Sequence, residues 1–197
     1  MRVLIACEFS GTVRRAFRAR GHDAWSCDLL PARDGGQHLQ VDAREVLTDG
    51  WDLLIAHPPC TYLSNSGVRW LHTRPARWAL MREGATFFKA LLNAPISQVA
   101  VENPVMHKYA VAIIGRRQDQ TIQPWQFGHP ESKRTCLWLR GLEPLEPTDV
   151  LSKPAAGHWD NQTPSGQNKL GPSADRWKAR SVTYAGIALA MAEQWGK

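Results

Sequence analysis

The chain has 197 residues and carries 24 Lys and Arg against 18 Asp and Glu, a formal charge of +6 at pH 7. That length predicts one domain over residues 1–197, and 43% hydrophobic with 21% charged residues excludes a disordered, collagen-like or coiled-coil chain. No run approaches the roughly 18 apolar residues of a membrane helix, and the start MRVLIACEF lacks a cleavable secretory pattern. Cys7, Cys27, Cys60 and Cys136 follow no Cys-x-x-Cys spacing, which predicts reduced thiols and a cytoplasmic protein. The basic balance is compatible with a polyanionic partner.

In chain order, Val3-Leu4-Ile5-Ala6-Cys7 reads as a strand buried on both faces. The small-residue turn Glu8-Phe9-Ser10-Gly11-Thr12 follows. Val13, Ala16 and Phe17 then fall at helical spacing, with Arg14, Arg15 and Arg18 on the other faces, and Gly21 ends this helix. Ala24-Trp25-Ser26-Cys27 predicts a second strand closed by Asp28. Asp42 falls in a loop before a brief helical turn. Trp51 to Ala56 predicts a third strand ending in His57-Pro58-Pro59-Cys60. A helix over 75–93, a strand over 97–101 ending in Glu102-Asn103-Pro104, and a strand over 135–139 come next. Residues 141–176, rich in Pro, Gly, Ser and Asn, read as a short irregular insert. Ser181 to Trp195 reads as one last helix.

Alternating strands and helices predict an α/β fold with a mostly parallel, doubly wound sheet. In such sheets ligands sit at the carboxyl ends of the strands. The 8–12 turn, Asp28, the Pro-Pro-Cys loop and Glu102 all fall there. The glycine turn can bring backbone close to a nucleotide-like ligand, and an acid ending the second strand is placed for ribose hydroxyls, although Asp28 reads equally as a cap or surface acid, and Asp42 alone more often as a cap than a ligand. Cys60 sits on a loop stiffened by two prolines. A thiol and the Glu102 carboxylic acid at one rim suit covalent addition to an electron-poor ring, the acid protonating a ring nitrogen. Ionised Glu102 paired with an arginine is the structural alternative. His57 and Cys60 lack a second ligand pair, so no metal is expected.

These residues, in this order, resemble the DNA (cytosine-5) methyltransferases, in the manner of a compact phage or prophage member without a large target-recognition domain. Phe9-Ser10-Gly11 resembles the family's first S-adenosyl-L-methionine motif, Asp28 its ribose-binding acid, and Asp42 the acid that meets the adenine amine. Pro58-Pro59-Cys60 resembles the catalytic Pro-Cys motif and Glu102-Asn103 the Glu-Asn motif. Lys133-Arg134-Thr135 resembles the following basic motif, and Arg180-Ser181-Val182 the closing one. The chain departs from the family at Val13, where a second glycine is usual, at Pro104, where a small β-branched residue is common, and in its incomplete basic motif. The insert of about 35 residues is short for a recognition module, which implies low sequence specificity.

The resemblance implies a Rossmann-like S-adenosylmethionine-dependent methyltransferase fold. It implies catalytic Cys60, Glu102 and Arg134, and a cofactor site of Phe9, Ser10, Gly11, Asp28, Leu29, Asp42, Pro58 and Ser181. The implied reaction is methyl transfer to C5 of cytosine in DNA, in a flipped-out or single-stranded base, through a Cys60–C6 adduct. DNA is the expected partner, for a monomer or weak dimer. Arg69, Arg74, Arg77, Arg116 and Arg117 are candidates for phosphate contact; Trp70, Trp125, Trp159 and Trp177 are candidates for stacking, though most tryptophans are core. Two alternatives stand beside this reading: modification of a free pyrimidine nucleotide, and a non-catalytic cofactor- or DNA-binding relative.

Overall fold

Four apolar runs become the centre of the sheet because both of their faces are covered. The computed structural model describes every residue except 172, 174 and 175. β1 (Arg2–Ala6) is followed by α1 (Thr12–Arg18), β2 (Asp23–Cys27), β3 (His38–Leu39) and β4 (Leu53–Ala56). Then come α2 (Arg69–Thr73), α3 (Arg77–Leu92), β5 (Gln98–Pro104), α4 (Lys108–Ile114), β6 (Gln120–Ile122), β7 (Thr135–Arg140), α5 (Arg176–Ser181) and α6 (Ala185–Gln194). The strands form one seven-stranded sheet in the order β3-β2-β1-β4-β5-β7-β6, in which β7 alone runs against its neighbours. This is a mostly parallel, doubly wound sheet, and its order reverses between β1 and β4, where such sheets open a crevice for ligands.

Period-2 alternation sorts the strand side chains into two cores. Leu4, Leu54, Val99, Val101 and Trp138 pack under α3 and α4, where Phe88 meets the Trp138 ring edge-on at 4.9 Å. Val3, Ile5, Leu53, Ile55, Ala100 and Leu137 pack under α1 and α6, against Phe17, Ile187 and Met191. The same alternation carries past the strand ends: His57 continues the second face of β4, and Glu102 that of β5. The fold thereby aims both residues at α6.

Three features differ from the sequence reading. The two-residue β3, three-residue β6 and seven-residue α4 are too short to leave a periodic signal. The last helix, α6, starts at Ala185 rather than Ser181, and a separate α5 precedes it, because Tyr184 turns extended (φ −65°, ψ 137°) and its phenol donates to Glu131 at 2.5 Å. Arg14, expected on a polar face, is 1% exposed.

The burial of Arg14 follows from what the 28–37 loop does. The loop folds back over the start of α1, where Arg33 N–H donates to the Phe9 carbonyl at 2.9 Å. Arg14 reaches into it: Nη1 donates to Ser26 Oγ at 2.8 Å and to the Gln37 carbonyl at 3.0 Å, and Nη2 pairs with Asp34. Burial alone would raise the Asp34 carboxyl, but the hydrogen bonds from Arg14, the Gly36 N–H and Arg15 outweigh it and hold the group well below the usual carboxylate range. Gly11 and Gly36 make room for the guanidinium, since a Cβ at either would stand 2.4 Å from Nη2. Replacing Arg14 by Met removes three hydrogen bonds from a buried network. The expected cost is about 3 kcal/mol, measured as a lower urea midpoint at unchanged slope.

Candidate active site

The Pro-Pro-Cys loop cannot tie itself down, because neither proline has an N–H. Neighbouring elements hold it instead. Asn103, buried at the end of β5, donates its amide Nδ2 to the Pro58 carbonyl at 2.9 Å. The carbonyl of Cys60 accepts from Ser64 N–H at 2.9 Å, closing a turn. His107 Nε2 bonds the Tyr62 carbonyl at 2.9 Å, and Arg77 donates to the Thr61 carbonyl at 3.2 Å while stacking on Tyr62. Cys60 is therefore presented half-buried from a braced turn at the β1/β4 crevice.

Glu102 faces the same crevice, its side chain 17% exposed. Burial pushes its carboxyl up, but a 3.3 Å hydrogen bond with His57 Nδ1 and the charge of Lys133 more than offset that and hold it below its ordinary range. The Cys60 thiol is shifted the other way: burial raises it, and the Glu102 charge raises it further against the pull of Arg180 and Lys133. The pair therefore holds one proton at neutral pH, and it rests on sulfur. Cys27, inside β2, is pushed up to about 11 chiefly by burial, as an inert core thiol would be.

The residues expected to hold a cofactor gather at the carboxyl ends of β1, β2 and β3. Cys7, just past β1 in the left-handed region (φ 59°), has its thiol raised by burial and then by the charges of Asp28 and Asp42, so both acids flank this point. Asp28 accepts from Leu30 N–H at 2.9 Å through Oδ1, while Oδ2 accepts no bond among the described residues. Asp42 caps a 3-10 turn and pairs with Arg44. Leu29 is 70% exposed beside them, an apolar face on a polar edge. Pro58 is buried, and Phe9 packs against Trp177 of α5 with ring centroids 6.2 Å apart.

Glu8, which the sequence reading passed over, decides what kind of cofactor suits this edge. Its buried carboxylate accepts from Val13 N–H at 2.7 Å and Arg14 N–H at 3.3 Å, with the Ser10 hydroxyl at 3.3 Å. A carboxylate thus occupies the helix start where dinucleotide-binding folds seat a pyrophosphate. A second anion there would be repelled, whereas a donor bearing a sulfonium cation is suited to it.

Two expected residues are not brought into the crevice. Arg134 is exposed and makes no hydrogen bond or ion pair among the described residues. Lys133 and Thr135 line the small cavity beside Glu102 and His57, and strand alternation turns Arg134 away. Lys133, rather than Arg134, is the basic residue of this motif that lines the cavity. Ser181 is exposed at the end of α5, its hydroxyl donating to the Lys178 carbonyl at 2.8 Å. The insert braces the residue before Lys133, where Asn161 and Ser132 exchange two bonds at 2.9 and 3.0 Å, while Lys133 N–H donates to Gln123 Oε1, ahead of β7, at 3.0 Å. Of the tryptophans, Trp125 and Trp159 stack on each other at 5.8 Å, and Trp177 is half exposed. Among the described residues no three His, Cys, Asp or Glu side chains converge as a metal site, and no helix is long and apolar enough to cross a membrane.

No protein-family model matches the chain, and no curated protein matches its sequence. Solved structures do match. One is described as a DNA modification methyltransferase encoded within a prophage of E. coli, with TM-score 0.48 and 16% identity over 76% of this chain and 51% of that one. Another is a methyltransferase of Entamoeba histolytica, with TM-score 0.48 and 16% identity over 77% of this chain and 57% of that one. The chain spans just over half the length of these structures.

The coupling between Glu102 and Cys60 gives a direct test. Glu102→Gln removes a negative charge from beside the thiol, so the thiol must titrate at lower pH. Peptide-resolved alkylation with iodoacetamide should find Cys60 reacting at least about threefold faster at pH 8 in the variant, while Cys27 and Cys136 stay slow.

Proposed function

We propose that the protein transfers a methyl group from S-adenosylmethionine to C5 of cytosine in DNA, with Cys60 as nucleophile. The observation that carries this reading is the Cys60–Glu102 pair: a braced thiol and an ionised carboxylate in one crevice, close enough for the charge of one to shift the other. Phe9, Ser10, Gly11, Asp28, Leu29, Asp42 and Pro58 would hold the cofactor. Ser181 would join them only by turning from the Lys178 carbonyl. The cofactor, when bound, supplies an electrophilic methyl group beside C5.

The chain's own residues then account for the proton. Cytosine C6 accepts a nucleophile poorly until N3 is protonated, and the only proton of the pair is on Cys60. Glu102, an acceptor in the free protein, takes that proton from Sγ and passes it to N3 as the Sγ–C6 bond forms and the ring electrons move toward N3. Its other oxygen accepts from the exocyclic amine. After C5 is alkylated, its proton leaves to a base, the Sγ–C6 bond breaks, and N3 returns its proton through Glu102 to sulfur, restoring the thiol and the aromatic ring. Such acid–base assistance contributes roughly 10²–10⁴-fold to a rate.

A polymer rather than a free nucleotide is favoured by α2. Arg69 and Arg74 both lie 4.5 Å from the Trp70 ring, with no ion pair to either among the described residues. Two unneutralised guanidiniums on one aromatic ring, beside the Cys60 turn, suit a sugar–phosphate backbone. Exposed Arg134 serves the same backbone in this reading.

Mass spectrometry of nucleosides from DNA of cells expressing the protein tests the reading. 5-Methylcytosine is expected with the wild type and absent with Cys60→Ser. Unmodified DNA in both, with product formed from dCMP in vitro, would move the substrate to a free nucleotide. No product from either would leave a binding protein.

A further inference from the structure

His57 departs from what its position needs. It lies where β4 ends, on the face covered by α6, its side chain 7% exposed. A small apolar residue would fill such a site without cost, whereas an imidazole brings two polar nitrogens. Nδ1 meets Glu102 Oε2 at 3.3 Å, and Nε2 is buried with no hydrogen-bond partner among the described residues. Leaving one nitrogen unsatisfied is unfavourable, so the bond made by the other must matter.

The surrounding charges fix where the proton sits. Glu102 faces His57 from β5, Lys133 from the segment before β7, and Cys60 from the loop after β4; Cys136 of β7 also feels the Glu102 charge. The Tyr184 phenol, at the start of α6, is turned to Glu131, and Lys133 Nζ donates to the Arg180 carbonyl at 2.9 Å. Arg180 of α5 acts on Cys60 and Tyr184 rather than on Glu102. With Lys133 stabilising an ionised Glu102, the His57 nitrogen toward it must be the donor, leaving the lone pair on orphan Nε2.

We propose that His57 is a positioning residue: its Nδ1–H holds Glu102 ionised and oriented as an acceptor until the Cys60 proton arrives. This deepens the methyl-transfer reading and rests on it for the duty of Glu102. Without the donor, burial would dominate at Glu102, which would then pick up a proton from solvent before Cys60 had given up its own. The thiol proton would have no acceptor, and adduct formation would slow most at mildly acidic pH.

Nitrogen-15 NMR of the wild-type protein should find His57 with its hydrogen on Nδ1; hydrogen on Nε2 alone would overturn the proposal. Carbon-13 titration of Glu102 should move upward by at least about one pH unit in His57→Phe and return in His57→Asn, whose amide stands near the Nδ1 position. A Glu102 titration unmoved in folded His57→Phe would sink the idea. If that variant fails to fold, the wild-type tautomer and His57→Asn against His57→Gln still decide. In methylation assays, kcat of His57→Phe should fall about tenfold at pH 6 and much less at pH 8.5, with KM for DNA little changed; an equal loss at both pH values would mean a merely structural role. If the wild type methylates nothing, the functional reading fails alone, because the tautomer and titration do not depend on turnover.

Discussion

One hydrogen bond, from the Asn103 amide to the Pro58 carbonyl, fixes the geometry of the crevice. Two successive prolines deprive the loop after β4 of the N–H groups by which loops usually anchor themselves. The end of β5 supplies the missing donor. Because Asn103 follows Glu102 directly, the side chain that restrains the nucleophile and the side chain that would share its proton alternate on one strand, one on each face of the sheet. Any movement of β5 carries both. The parallel register of β4 and β5, with Ala56 opposite Val101, would therefore also set the register of the proposed chemistry.

Electrostatics in the crevice follow from what each neighbour contributes to a dry site. Burial penalises the charged form of both Cys60 and Glu102, yet the two move in opposite directions. A carboxylate with a histidine donor and a lysine nearby keeps its charge; a thiol with that carboxylate for a neighbour keeps its proton. At the cofactor edge, Glu8 places a negative charge against the first turn of α1, where a glycine turn alone would leave bare N–H groups. Under the proposed function the two ends of the crevice would differ in kind, one serving a proton in transit and the other a cationic donor.

Much of this was legible before the fold was known, for physical reasons that differ from element to element. β1, β4, β5 and β7 are continuous apolar runs because both faces of the sheet are covered, and such runs are conspicuous. Glu102 stands out because it directly follows an apolar run, and Cys60 because it sits on the Pro-Pro turn after one. Arg14 was not legible: helical periodicity marks it polar, and only the returning 28–37 loop supplies the partners that bury it. His57 was visible but read against a metal, since its partner lies 45 residues away. The exchange of Lys133 for Arg134 turns on a single step of strand alternation, which a short basic motif cannot fix.

The reciprocal amide bond between Asn161 and Ser132 gives the insert a second character. A segment with Gln162, Gln167 and Asn168 around a small bridged hairpin looks like an exchangeable reading head. Its base, however, is mortised into the turn that delivers Lys133 to Glu102. Transplanting a longer recognition module here would alter catalysis along with selectivity unless the graft kept an amide at the Asn161 position. Under the proposed function, target choice and proton handling would share a joint.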